Sequence, residues 1–375
     1  MSRAFAAAAA LLLACPDLSY AQDAPPPWHE RIQFGGDFRS RYEGFYQQDE
    51  ETRHRARLRL RLRVDAAIND DLDLQVQLAS GDPGTPVSTN QSFDDFFTTK
   101  PLHLDRAFIA YTPGAAPALT LGAGKFPHVA SYTQMLLDDD LNFEGAWESL
   151  EWEPGGNVEV ALGGLQTVVS ERSSGPDAYM LAVFGGTTFG SDARRVKLQA
   201  ANYSWGQADR IALAQVAGDL TSSLTNALAF DSAGSIAGFA SRFNVVDLIA
   251  EATLATPKQG YPLRLLGQWA RNTRAAGDRD SGIWVEAEYG SPRAARTWGA
   301  TYTYGWVEQD VTPSAFVFSD MPGTNVRLHM LETSYVLKAG ASVDTTLHFT
   351  KPLEPSPGDP DRWLTRLHLA IVVRF

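Results

Sequence analysis

From Arg31 onward, hydrophobic and polar residues alternate with a period of two. The clearest stretch is Thr52–Ala67, where Arg53, Arg55, Arg57, Arg59, Arg61 and Arg63 interleave with His54, Ala56, Leu58, Leu60, Leu62 and Val64. Successive side chains on a strand point to opposite faces, so all six guanidinium groups share one face and the aliphatic groups the other. A helix would spread the same arginines around its cylinder and bury charge. A strand accommodates them only if one side is wet and the other apolar. The alternation recurs from Arg31–Tyr46 and Leu72–Ser80 through to Asn325–Leu337, Ser342–Thr350 and Arg362–Phe375. It predicts about 16 strands, an even number as bacterial transmembrane barrels require. If Arg210–Val216 and Ser235–Phe239 pair as well, the count becomes about 18.

The connections alternate too. Short turns such as Asn69-Asp70-Asp71 and Pro154–Gly156 trade places with long links such as Gly81–Pro101, Pro127–Phe143 and Glu308–Thr324. Short on one side and long on the other is the hairpin rhythm of an outer-membrane barrel. In the last stretch Leu367, Leu369, Ile371, Val373 and Phe375 share one face, and Arg362, Arg366, His368 and Arg374 the other. An amphipathic terminal strand ending in Phe resembles the signal read by the machinery that inserts such barrels. The expected fold is therefore all-β, a transmembrane antiparallel barrel over residues 31–375.

The start of the chain reads differently. Met1-Ser2-Arg3 is a short basic start, Ala4–Ala14 an apolar core, and Ser19-Tyr20-Ala21 a cleavage site, so residues 1–21 read as a secretory signal peptide. Cys15 lies inside it, and Leu12-Leu13-Ala14-Cys15 read as a lipoprotein box is the alternative. Residues 22–30, with three consecutive prolines at Pro25–Pro27, form a stiff periplasmic linker. The longest apolar run, Ala4–Ala14, is about half the ~20 residues a spanning helix needs, which excludes an α-helical membrane protein. With 44 acidic against 32 basic residues and a net charge of −12, the chain lacks the basic footprint of a nucleic-acid binder.

Several stretches carry a family resemblance. Arg57-Leu-Arg-Leu-Arg-Leu-Arg63 with Asn69-Asp70-Asp71, Ala79-Ser-Gly-Asp82 with Pro86-Val-Ser-Thr-Asn-Gln91, and Lys100-Pro101 with Leu104-Asp105-Arg106-Ala107 resemble the putative porin family of Gram-negative outer-membrane barrels. Asp138-Asp-Asp-Leu-Asn-Phe-Glu-Gly145 is the most specific piece, and Asn244-Val-Val-Asp-Leu248 fits as well. The similarity runs from Gly35 to Phe375, is densest in the first third, and is poor over Ser170–Phe239. It implies a channel without implying a cargo.

Two constellations bear on selectivity. The aliphatic partners must face lipid, so Arg53–Arg63 line the lumen with Arg39 and Arg41 beside them. These arginines pair with interior carboxylates such as Asp37, Glu43, Asp65 and Asp105, and they also offer solutes an electropositive wall. Opposite stand Asp138, Asp139, Asp140 and Glu144. Pro127–Phe143 is the third long connection, the one that in general porins folds inward. Its Val129, Tyr132, Met135, Leu136 and Leu137 are unusual for a solvated loop. We expect it to tuck inside and set its acids against the arginines; a plain acidic turn or a Ca²⁺ site are the competing readings. His329, His348 and His368 read as lumen-facing on the last three strands, a polar rung or a Zn²⁺ or pH-sensing group. Aromatics near strand ends, among them Tyr42, Phe45, Trp147, Trp205, Trp284, Trp298 and Trp363, suit interfacial girdles.

No phosphate-binding loop, zinc spacing or nucleophile elbow is present, so neither an enzyme nor a cofactor is expected. The reading is a water-filled pore in the outer membrane for passive diffusion of small hydrophilic solutes and ions. A substrate-specific channel for an anionic or saccharide solute is the alternative. Expected partners are outer-membrane lipid, the insertion machinery and, by analogy with barrels of this size, two further copies in a homotrimer.

Overall fold

The computed structural model describes residues 27–375 apart from Asp95, Asp192 and 356–360. The leader and Cys15 lie outside the described residues. Sixteen strands close into one antiparallel barrel: β1 (Ile32–Gln47), β2 (Arg53–Asn69), β3 (Leu72–Ser80), β4 (Leu102–Tyr111), β5 (Leu119–Phe126), β6 (Phe143–Gly155), β7 (Val158–Ser170), β8 (Ala178–Ser191), β9 (Arg194–Gly206), β10 (Asn244–Leu254), β11 (Leu263–Asn272), β12 (Ser281–Tyr289), β13 (Trp298–Val307), β14 (Val326–Lys338), β15 (Ala341–Pro352) and β16 (Leu364–Arg374). Each strand pairs with its neighbours in sequence, and β16 pairs with β1 from Gln47↔Leu364 to Asp37↔Arg374. Two further bonds extend that seam: Gly36 N–H donates to the Phe375 carbonyl at 2.9 Å, and Phe375 N–H returns to Gly36 at 3.1 Å.

The period-two pattern sets the two faces. In β1 and β2, Asp37, Arg39, Arg41 and Glu43 stand beside Arg61, Arg59, Arg57 and Arg55 on the inner face, while Phe38 meets Leu60 on the outer one. The outer wall is a band of large apolar side chains including Leu62, Leu181, Leu248, Ile283, Leu331 and Ile371. Its aromatic borders are visible as clusters. Tyr261, Tyr289 and Trp298 pack with centroids 5.6–5.8 Å apart beside the short turns. At the opposite rim His329 contacts Tyr302, Tyr304 and Trp363.

Short turns are built from local chemistry. Asn69 Oδ1 accepts from Asp71 N–H at 3.0 Å, an Asx-type turn between β2 and β3. Gly156, with φ of +64°, turns the chain between β6 and β7.

The long connections do not stay outside. We number them L1 to L8; L3 (127–142), L5 (207–243) and L7 (308–325) pack into the barrel, and L2 (81–101) turns in through Thr89 and Asn90. Met135, Leu136 and Leu137 of L3, Phe239 and Phe243 of L5, and Phe316, Val317, Phe318 and Met321 of L7 are buried in one apolar cluster. Wall residues complete it, with Trp205 stacked on Phe316 at 5.2 Å and 7°.

This inner cluster corrects several expectations. Trp147, Trp205 and Trp284 point into it and are buried, not interfacial, and Phe45 faces the lumen under Arg53. The extra strand pair is not part of the barrel. Residues Asp209–Ala217 form a helix, α1, and Ile236–Phe239 pairs with Leu228–Phe230 as a separate two-stranded ribbon inside L5. Asp-Arg-Ile-Ala-Leu-Ala-Gln-Val-Ala is rich in strong helix formers, with Asp209 in its favoured first turn.

Replacing Leu60 with Arg puts a charge on the lipid face near the middle of β2. It should cost ~2–4 kcal/mol in reversible unfolding from lipid vesicles, whereas a polar residue at Arg59 should not incur that lipid-burial cost.

Candidate functional site

The arginine ladder is first satisfied by the neighbouring strand. Asp37 takes Arg59 at 2.8 Å and Arg61 at 2.6 Å, and Arg55 donates through Nε to Glu43 at 2.7 Å. Glu43 is fully buried and also contacts Arg41 and, at 3.7 Å, Arg57. Arg63 pairs with Asp65 at 2.8 Å, and Arg53, at the loop end of β2, lies over the Phe45 ring at 5.5 Å.

The register leaves a conflict. Arg39 stands opposite Arg59 and Arg41 opposite Arg57, and like charges directly across a strand pair repel. Acceptors from the loops resolve it. Arg39 donates to the Asn90 side chain, and Arg57 to the Asn90 carbonyl at 3.0 Å. Arg41 meets Asp320 of L7 at 3.4 Å, and Arg366 of β16 meets the same carboxylate at 3.0 Å. Arg61 reaches Asp140 of L3 at 3.5 Å, and Asp140 also accepts from the Thr89 N–H and hydroxyl at 2.9 Å each.

L3 crosses the lumen along a row of polar contacts. Gln199 of β9 accepts from Ser131 N–H at 2.8 Å and donates back to the Ser131 carbonyl at 2.7 Å. The Thr133 hydroxyl donates to Gln268 of β11. Met135 then packs on Gly282 of β12, where a Cβ would sit 2.8 Å from its sulfur and would push the Met135 side chain aside. Phe318 N–H donates to the Gln134 carbonyl at 3.0 Å, joining L3 to L7.

The four acids expected to face the arginines have separate roles. Asp140 alone meets the ladder. Asp138 is buried and latches L3 to L7: its carboxylate accepts from Ser319 N–H at 2.6 Å and Asp140 N–H at 2.7 Å, and its own N–H donates to Phe316 at 2.8 Å. Burial, then the Asp140 charge, pushes its carboxyl up to about 8. Asp139 accepts from Gln134 at 2.8 Å and Tyr132 at 3.1 Å, and burial among the lumen walls raises it as well. Glu144 pairs with Lys125 at 2.8 Å. Nor does Asp105 pair with an arginine. It accepts from Gln77 at 2.6 Å and from Asn142 at 2.8 Å, at a β-bulge that turns both Asp105 and Arg106 toward Asn142.

His128 supports the latch from below. It stacks on Tyr132 at 3.7 Å and donates through Nε2 to the Asp138 carbonyl at 2.9 Å. Burial lowers it to about 4, so at neutral pH it is the uncharged imidazole that does this. Asp320 is the acid the sequence reading missed. Burial would raise it, but Arg41, His368 and Arg366 outweigh burial and hold it well below the usual carboxylate range. The signal was available in L7, whose Phe316, Val317, Phe318 and Met321 are as unusual in a solvated loop as the apolar residues of L3. His348 and His368 face inward, but His329 does not. It lies on the outer face with Tyr302, whose hydroxyl is 2.8 Å from its Nδ1. Polar hollows flank the loop layer, one of about 370 Å³ beside Thr89, Asp105, Lys125 and Asp140, another of about 430 Å³ beside Ser131, Glu153, Lys197 and Gln199.

Two outcomes check this arrangement. Glu43→Gln removes the buried anion shared by Arg41 and the half-buried Arg55 and Arg57 and should destabilise the barrel by ~3–5 kcal/mol in equilibrium unfolding. Asp138 is raised above its unfolded value of 3.8, so the docked state holds an extra proton. Its contribution is complete below about 4 and is lost as pH rises through about 8. Protease cleavage within L3 should therefore accelerate between pH 7 and 9, and Asp138→Asn should remove that dependence.

Residues 44–211 match the family described as putative porin. No curated protein sequence matches the chain. Among solved structures, the high-pH structure of OprB from Pseudomonas putida aligns at a TM-score of 0.58 with 14% identity, covering 92% of this chain and 95% of that one. OmpF of Salmonella typhi, solved in complex with daunomycin, aligns at 0.55 with 9% identity, covering 92% and 97%. OmpT of Vibrio cholerae, in a trimer form, aligns at 0.51 with 11% identity, covering 92% and 99%. These likenesses establish the fold. Over residues 44–211 the chain is thus similar to the family described as putative porin, and it shares its closed 16-stranded barrel fold with these solved structures.

Proposed function

We propose that the chain is a narrow passive channel of the outer membrane for small hydrophilic solutes, in which the arginine face of β1, β2 and β16 favours anions. The observation that carries this reading is the direct contact of Arg39, Arg41, Arg57, Arg61 and Arg366 with the inward loops L2, L3 and L7. A solute following that seam passes guanidinium groups at close range, in a lumen where low-dielectric walls strengthen their field. Such a channel needs no cofactor or energy source. Residues 1–21 would serve as the export leader, 22–30 as a periplasmic linker, and the terminal strand as the insertion signal. Assembly as a homotrimer, as for the trimer form of Vibrio cholerae OmpT, is part of the same proposal.

A second reading, a channel specific for one anionic solute, is favoured by the apolar cluster that joins L3, L5 and L7 inside the barrel, because a lumen filled by packed loops suits a fitted passage better than an open sieve.

Planar-bilayer recording tests both. Ohmic conductance with a reversal potential on the anion side is expected. A charge ~4 Å from the ion path is worth ~1 kcal/mol in water-like screening, roughly fivefold in permeability ratio. Replacing Arg57, Arg59 and Arg61 with Gln should therefore move the ratio toward cations by at least that factor. An unchanged reversal potential refutes the arginine mechanism, and absence of conductance refutes the channel. Saturable block by one anion selects the second reading.

A further inference from the structure

We propose that Asp320, His348 and His368 form a binding site for one divalent transition-metal ion of the Zn²⁺ kind, held between L7 and the barrel wall. β15 and β16 place the imidazoles. His348 pairs with Arg366 and Thr346 with His368, so the two histidines face inward on adjacent rungs of neighbouring strands. Their rings lie 4.7 Å apart at 57°. L7 brings Asp320 down over them, 3.9 Å from His368 Nδ1. One donor atom from each residue lies within 4.8 Å of the other two.

The site is sealed from bulk water, with relative exposures of 8% for Asp320, 1% for His348 and 4% for His368. A buried polar nitrogen without a partner is costly, and such atoms usually mark a role. Here neither nitrogen of His348, nor Nε2 of His368, has a hydrogen-bond partner among the described residues. Two unsatisfied imidazoles beside an ionised carboxylate are the donor set of Zn²⁺, with a fourth position left for water. Zn–N bonds of about 2.0–2.1 Å need donors roughly 3.3 Å apart, so the three groups must draw together by at most about 1.5 Å. Rotation of the imidazoles about their broad terminal torsions can supply that movement. Ca²⁺ and Mg²⁺ fit poorly, since both want oxygen ligands.

Binding is an exchange of partners. Asp320 already serves Arg41 at 3.4 Å and Arg366 at 3.0 Å. When the metal takes the carboxylate, Arg41 keeps Glu43, and Arg366 keeps its place over the Phe45 ring at 4.7 Å. The ion would then fasten L7 to β15 and β16, and through Ser319 and Asp138 fasten L3 as well.

The test uses the tag-free chain folded in detergent micelles and titrated with Co²⁺, then Zn²⁺. One Co²⁺ per chain is expected, with visible absorption bands of a nitrogen- and oxygen-ligated ion, displaced by one equivalent of Zn²⁺. His348→Asn or His368→Asn should weaken binding by at least about 10- to 100-fold, the scale on which even outer-shell changes act. His329→Asn, on the outer face, should leave it unchanged. Heat-modifiable gel migration reports whether each variant closes its barrel. Asp320→Asn, a loop change, keeps the test decisive if a strand variant does not. Failure of the unmodified chain to bind one equivalent, or equal affinity in the Asp320, His348 and His368 variants, overturns the site. None of these readouts depends on whether the barrel conducts.

Discussion

The neutralisation of guanidinium groups that lipid will not accept organises this molecule. Alternation commits the arginines of β2 to the inside, because a charge at mid-membrane on the outer face costs several kcal/mol. Once inside they stand one above the other, and two of them meet arginines of β1 directly across the strand pair. Asp37 and Glu43 answer part of that charge from within the wall. The remainder is answered from the loops by Asn90, Asp140 and Asp320. The inward course of L2, L3 and L7 is thus coupled to the charge on the wall they approach.

Electrostatics alone would not hold three loops in a wet lumen, where exposed ion pairs are worth little. L3 and L7 also share with L5 an apolar cluster, rooted on Trp147, Trp205 and Trp284 of the wall. Glycine at position 282 lets Met135 seat against β12, and Asp138 joins L3 to L7 through backbone groups of both. Packing fixes where the loops sit, and the arginines fix which of their polar edges face the ladder.

Much of the wall was legible in the sequence because oil and water impose opposite demands on neighbouring residues. Leu58, Leu60 and Leu62 against Arg57, Arg59 and Arg61 leave only one register. The same logic misled wherever the interior is itself apolar. Around β14 the buried Val326, Leu328 and Met330 face the loop cluster, so an apolar face there means inside and His329 falls outside. The bulge at Asp105 shifts parity without a local sign. α1 was misread because nine residues rich in Ala, Leu and Val satisfy either period. The apolar residues around Asp320 mark L7 as an inward loop, but its partner was not legible: it meets Arg41 across 279 residues of chain, and no local pattern encodes such a contact.

The pairing of β16 with β1 has a consequence for biogenesis. The ring has no free edge only once β16 has paired with β1, through rungs that run to Gly36 and Phe375. Until then the amino-terminal hairpins have been delivered with backbone donors and acceptors that lack their eventual partners, and open edges of this kind invite pairing between molecules. A chain without β16 would leave that gap permanently unsealed. Its fate would then rest with holding chaperones and proteases rather than with the bilayer.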